Sequence, residues 1–133
     1  MANYLGSGLA PMLSVRYGAK AIEFYQAAFD AKVIFRFDNS EDGTVVANLS
    51  LGPAQFWLSD ESVEYKNFSP QSLNGTTVRL ILTVEDPDAS FQQAITVGAT
   101  IVRPVTEEHA WRIGKLVDPF GHVWEIGKPL KRT

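Results

Sequence analysis

The fold of this chain is decided by residues 116–126, which read LVDPFGHVWEI. The Asp-Pro-Phe-Gly segment suits a type I turn, with Asp118 at its first position, proline fixing φ at the second and glycine at the last. The apolar residues on either side of it predict two antiparallel strands. Side chains alternate along a strand, so Glu125 lies on the face opposite to Trp124. With Trp124 packed into a core, Glu125 points away from that core.

Outward from this hairpin, the chain repeats one pattern of elements. The first half predicts a strand, an amphipathic helix and three further strands, and the second half repeats that order. Asp86 and Pro87 predict the start of the second helix, as N-cap and first helical residue. The predicted strands are 9–15, 33–37, 45–51 and 55–59 in the first half, and 78–84, 100–105, 112–117 and 123–127 in the second; the predicted helices are 18–30 and a segment beginning at 87.

This repetition predicts a single α+β domain over residues 1–133, made of two βαβββ modules at 9–59 and 77–128. The segment 60–76 is rich in Ser, Asn, Pro and Gly and is predicted to be a linker. Each module is expected to form a curved mixed sheet with its helix on the convex side, and the sheets to form a cleft, either within one chain or across a dimer. Alternation along the strands predicts that Trp57, Arg79 and Glu125 face away from the helices.

Composition and charge exclude several classes of protein. A formal net charge of -3 gives no electrostatic reason to bind nucleic acid or an anionic membrane. The chain has no cysteine, which excludes disulfides, thiolate nucleophiles and cysteine-rich zinc sites. The N-terminus has no signal-peptide pattern, and no run approaches the roughly 20 apolar residues of a membrane span. We therefore expect a cytoplasmic protein.

Several short motifs, in their order and spacing, resemble those of one known family. They are Ser14-Val15 with Ala21–Tyr25, Val84–Ala89, Gly98–Thr100 and Asp118–His122. On these motifs the sequence resembles the vicinal-oxygen-chelate superfamily of glyoxalases, bleomycin-resistance proteins and extradiol dioxygenases, and within it the glyoxalase-like branch of unassigned activity. The resemblance covers nearly the whole chain. It implies the two-module fold and a homodimer.

The resemblance also implies where a metal ion would bind. Family members with metal chemistry hold an octahedral divalent ion with four inward-facing His, Gln or Glu side chains. In this sequence the matching positions are Ala10, Trp57, Arg79 and Glu125, of which only Glu125 offers a suitable ligand atom. Arg79 would put a permanent positive charge where the ion would lie. We therefore expect no cofactor. A divalent metal remains possible, but Glu125 is the one matching ligand.

Two interpretations of Glu125 stay open. In an apolar cavity a carboxylate has a raised pKa and could act as a general base. Alternatively, Glu125 pairs with Arg79 on the adjacent strand, which is the favoured interpretation. His122 is not expected to join Glu125 in a metal site, because residues an odd number apart on a strand face opposite ways. It is expected to be partly exposed beside the turn.

Aromatic and charged residues on the predicted cleft favour metal-independent binding of a small organic molecule, similar to resistance proteins that sequester an antibiotic. The alternative is a lyase or isomerase of the glyoxalase type, with Glu125 as base or metal ligand; a dioxygenase is less favoured. Residues 107–115 have two interpretations, a solvated strand entrance or a ligand rim that combines an aromatic ring with charges of both signs. The predicted ligand-binding residues are Met12, Phe37, Trp57, Arg79, His109 and Trp111, and the predicted catalytic residue is Glu125.

Overall fold

The computed structural model describes residues 8–131, in which each half of the chain folds as a strand, a helix and three more strands. The elements of the first half are β1 (Met12–Val15), α1 (Gly18–Phe29), β2 (Lys32–Asp38), β3 (Val45–Leu51) and β4 (Ala54–Asp60). Those that follow are a short helix α2 (Pro70–Leu73), then β5 (Arg79–Thr83), α3 (Pro87–Thr96), β6 (Thr100–Glu108), β7 (Trp111–Val117) and β8 (Val123–Pro129).

The strands form two four-stranded mixed sheets, with the orders β1-β4-β3-β2 and β5-β8-β7-β6. In each sheet the first strand pairs parallel with the last strand of its module, and the other pairs are antiparallel. The predicted α+β fold of two βαβββ modules is therefore confirmed. No helix in residues 8–131 combines the length and the hydropathy that crossing a membrane requires.

Local sequence signals account for the helix boundaries. The Asp86 side chain accepts a hydrogen bond of 3.2 Å from the backbone N–H of Ala89 and so caps α3, with Pro87 at its first position as predicted. Helix α2 was not predicted, although the chain carries the same signal there: Ser69 caps it and Pro70 begins it. The linker segment is therefore partly helical.

The helix-side faces of both sheets contribute to one hydrophobic core. The ring of Phe56, on β4, meets that of Trp124, on β8, edge to face at 5.8 Å between centroids. Tyr25, on α1, lies between them, 5.3 Å from Phe56 and 5.7 Å from Trp124. Because the helix-side faces meet inside the protein, the opposite faces, here called the outer faces, lie on its outside.

The carboxylate of Asp118 joins the predicted hairpin to the first module. It is buried and accepts four hydrogen bonds: from the backbone N–H groups of Phe120 (2.8 Å) and His122 (3.0 Å), from the indole N–H of Trp124 (2.9 Å) and from the hydroxyl of Tyr25. Burial, and after it the charge of Asp118, raises the pKa of Tyr25 well above its ordinary value. At neutral pH Tyr25 therefore remains a hydrogen-bond donor.

His122 is buried, with 8% of its surface exposed, so the prediction of a partly exposed histidine was wrong. Its Nε2 lies 2.9 Å from the carbonyl oxygen of Ser14 in the first module. Because a carbonyl only accepts hydrogen bonds, Nε2 carries the proton and donates. His122 directly precedes β8 and is buried where it contacts Ser14 of β1. Its orientation away from Glu125 agrees with the prediction.

Candidate functional site

Glu125 lies on the outer face of the second sheet between two cations. Its Oε2 is 3.3 Å from Nε of Arg79, on the neighbouring strand β5, and 3.9 Å from Nζ of Lys115, which is its register partner on β7. The predicted ion pair with Arg79 is therefore present. The carboxylate side chain is 17% exposed, and charged groups, not an apolar cavity wall alone, surround it.

A second ion pair, between Arg103 and Glu108, lies beside the first. Arg103 donates to both carboxylate oxygens of Glu108, with Nη1 at 3.0 Å from Oε1. The two pairs share a cavity of about 140 Å³. Its lining residues are Arg79, Arg103, Glu108, Ile113, Gly114, Lys115 and Glu125.

Arg103 and its pairing with Glu108 were not predicted from the sequence, for a structural reason. The two side chains are 5 residues apart, so simple alternation would put them on opposite faces of β6. The pairing of β6 with β7 shifts register between Ile101 and Arg103 and again between Arg103 and Thr106. These irregularities bring both side chains to one face, and a sequence pattern alone does not reveal them.

An apolar cavity of about 310 Å³ adjoins Glu125. It brings the predicted residues His109 and Trp111 next to the ion pair, beside two isoleucines. Of the two interpretations of residues 107–115, the ligand rim therefore gains support from geometry at Trp111. The residues lining this cavity are Ile81, Glu108, His109, Trp111, Ile113 and Glu125.

Arg112 is not part of this rim. It points to the helix side, where Nε and Nη2 each donate a 2.7 Å hydrogen bond to Asp88 on α3. This bidentate pairing lowers the pKa of Asp88 and raises that of Arg112. Within β7 the side chains that line the two cavities at Glu125 are therefore those of Trp111, Ile113 and Lys115, on the outer face.

Three predicted site residues lie on the outer face of the other sheet. Met12 is the register partner of Trp57, whose ring is 6.1 Å from that of Phe35, while Phe37 is 57% exposed on β2. The cavity beside Trp57, of about 720 Å³, shares no lining residue with the two cavities at Glu125. Within one chain, Trp57 and Glu125 therefore do not line a common cleft. The reason is that the helix-side faces of the two sheets meet in the core, which leaves the outer faces apart.

The side chains at the implied metal positions do not fit a divalent ion. Ala10 and Trp57 offer no ligand atom, and Arg79 holds its guanidinium 3.3 Å from the one carboxylate, Glu125. Within the described residues, no group of three or more histidine or acidic side chains could hold a metal ion. The donor set that the resemblance implies is therefore incomplete here.

Comparison with known proteins agrees with this architecture. The family model of the glyoxalase/bleomycin resistance protein/dioxygenase superfamily matches residues 9–126. An uncharacterized protein of Mycobacterium bovis is 38% identical over 138 residues, covering 100% of this chain and 90% of its own length. The crystal structure of TioX from Micromonospora sp. superposes with a TM-score of 0.69 at 22% identity, over 96% of this chain and 99% of TioX.

The fold is also shared by a fosfomycin resistance protein, FosX from Listeria monocytogenes, solved in complex with Mn(II) and sulfate. It superposes with a TM-score of 0.68 at 17% identity, covering 93% of both chains. Family model and fold agree along nearly the whole sequence. The chain belongs to the glyoxalase/bleomycin resistance protein/dioxygenase superfamily.

Proposed function

We propose that this protein binds a small organic molecule on the outer face of its second sheet, without a metal ion. The observation that carries the proposal is the position of Glu125. Arg79 and Lys115 flank the carboxylate at 3.3 Å and 3.9 Å, at the place where the family resemblance implies a metal ion. Trp111 and two isoleucines provide an adjoining apolar wall. Sequestration of an antibiotic is one role that such a site could serve.

The cavities at Glu125 are proposed as the ligand site in preference to a larger cavity between the modules. That cavity, of about 690 Å³, lies between β1, β5 and the linker, with Phe68 and His122 in its wall. It is lined by no Asp, Glu, Lys or Arg side chain. Its polar side chains are those of Ser14, Thr76, Thr77 and His122, whereas the cavities at Glu125 combine an apolar wall with charged groups that can fix the orientation of a ligand.

A metal-free binding site predicts a limited effect of Glu125→Gln. We expect purified wild-type protein and the variant to contain no stoichiometric divalent metal by elemental analysis. We also expect the free energy of unfolding, from urea titration, to change by no more than about 1 kcal/mol, because a partly exposed ion pair contributes little. Glu61→Gln is the control for metal content, since Glu61 pairs with Arg16 at 3.4 Å on another surface.

The opposite result would favour the enzyme alternative. Stoichiometric metal in the wild type that is absent from Glu125→Gln, but retained in Glu61→Gln, would identify Glu125 as a ligand. The binding proposal would then give way to a lyase or isomerase of the glyoxalase type.

The protein is further proposed to be a homodimer in which a second copy covers the outer faces. Exposed apolar side chains on both sheets support this: Met12 is 53% exposed, Phe37 57% and Ile81 60%. In such a dimer the outer face of the first sheet in one copy would lie against the outer face of the second sheet in the other copy. Trp57 of one copy would then lie near Glu125 of the other. The cleft expected from the sequence would then form between two chains.

The dimer proposal predicts that Phe37→Glu yields a monomer in sedimentation equilibrium, because it puts a charge on a face that the partner would bury. Val63→Glu is the control, since Val63 is 70% exposed in the linker segment. A wild-type protein that is monomeric at all concentrations would contradict the dimer, and the site would then be open to solvent.

A further inference from the structure

The charges at the proposed site are unequal in number. Three cations, Arg79, Arg103 and Lys115, line the smaller cavity with two carboxylates, Glu108 and Glu125. One positive charge is therefore in excess. In a partly enclosed site this excess favours an anionic ligand over a cationic one.

The cations also lie nearer to solvent than the carboxylates. The side chains of Arg79 and Arg103 are 63% and 56% exposed, whereas those of Glu125 and Glu108 are 17% and 25% exposed. On the open side of this face, which would be the cleft between the two copies in the proposed dimer, the guanidinium groups lie outermost and the carboxylates lie beneath them. A cationic ligand would have to pass these groups to reach either carboxylate.

Arg79 is the cation best able to take a ligand. Arg103 already donates one hydrogen bond from each of its terminal nitrogens to Glu108, so its bidentate donor edge is in use. The nearest contact of the Arg79 side chain with Glu125 is through Nε at 3.3 Å, and within residues 8–131 this side chain donates no hydrogen bond. Its terminal nitrogens can therefore donate two parallel hydrogen bonds to a carboxylate or a similar oxyanion.

On this basis, and resting on the proposed function, we propose that the ligand is an organic anion with a flat apolar body. Arg79, assisted by Lys115, binds the anionic head, and the body packs against Trp111, Ile81 and Ile113. The apolar cavity, of about 310 Å³, is at the lower end of the usual size for small-molecule sites, which suits one or two fused rings.

Matched probes that differ only in charge test this proposal. Benzoate and 2-naphthoate are compared with their neutral amides by isothermal titration calorimetry, using the full-length protein. We expect each carboxylate to bind at least about tenfold more tightly than its amide, since charge-assisted hydrogen bonds are roughly twice as strong as neutral ones. Arg79→Gln should abolish this preference, while the control Arg16→Gln, whose arginine is paired in the same way with Glu61, should retain it.

The possible outcomes separate the two proposals. Equal binding of acids and amides, unaffected by Arg79→Gln, would overturn the anion proposal and leave a binding site at Trp111 standing. A preference for the carboxylates that survives in Arg79→Gln would overturn the assignment of the anion to Arg79. Absence of binding by all four probes would overturn both the anion proposal and the proposed site.

Discussion

Replacement of Asp118 by alanine is expected to lower the free energy of unfolding by about 3–5 kcal/mol, a large part of the stability of a small domain. The substitution removes the acceptor of four hydrogen bonds at once. Four buried donors would then lose their acceptor: two backbone N–H groups of the turn, the indole N–H of Trp124 and the hydroxyl of Tyr25. An unsatisfied buried donor costs roughly 1–3 kcal/mol, and partial relaxation makes the total smaller than the sum.

Urea unfolding followed by tryptophan fluorescence measures this loss. Asp42→Ala is the matched control, because Asp42 also accepts a backbone hydrogen bond in a hairpin turn, from Thr44 at 3.0 Å, but lies exposed. We expect a smaller loss for Asp42→Ala than for Asp118→Ala. Equal losses would show that Asp118 acts only within its turn and does not join the two modules.

The hairpin illustrates what local sequence patterns can predict. The turn residues and the alternation on β8 correctly assigned Trp124 and Ile126 to the core and Glu125 to the other face. The bond from Tyr25 to Asp118 could not be predicted, because these residues are 93 positions apart and meet only when the two modules pack. Local rules specify the orientation of a side chain but not its distant partner.

In the candidate site, too, some contacts could be predicted from local strand patterns and others could not. Adjacent parallel strands brought Arg79 to Glu125 as predicted, and the register of the hairpin would also have placed Lys115 opposite Glu125. Trp57 was expected beside them, but this depended on how the two sheets are arranged, which no strand pattern specifies. The core joins the helix-side faces of the sheets, so the outer faces are separated within one chain.

A second large effect is expected at Gly127, where alanine should lower the free energy of unfolding by about 2–3 kcal/mol. Gly127 is the register partner of Ile113 across β7 and β8. A Cβ atom at this position would lie 2.7 Å from the carbonyl oxygen of Arg112 and 2.8 Å from Cβ of Ile113. Neither atom is the end of a flexible side chain, so the strands themselves would have to separate.

The same close approach shapes the proposed site, because Ile113 lines both cavities at Glu125. Urea unfolding of Gly127→Ala should therefore show a loss, and weaker binding of 2-naphthoate should accompany it. Thr83→Ala, on the strand that pairs with β8 at Gly127, is the control and should change stability by less than about 0.5 kcal/mol. Unchanged stability in Gly127→Ala would mean that β7 can shift without cost. The separation between Lys115 and Glu125 would then not be set by the strand pairing, and the rigid placement of cations around this carboxylate would lose its structural basis.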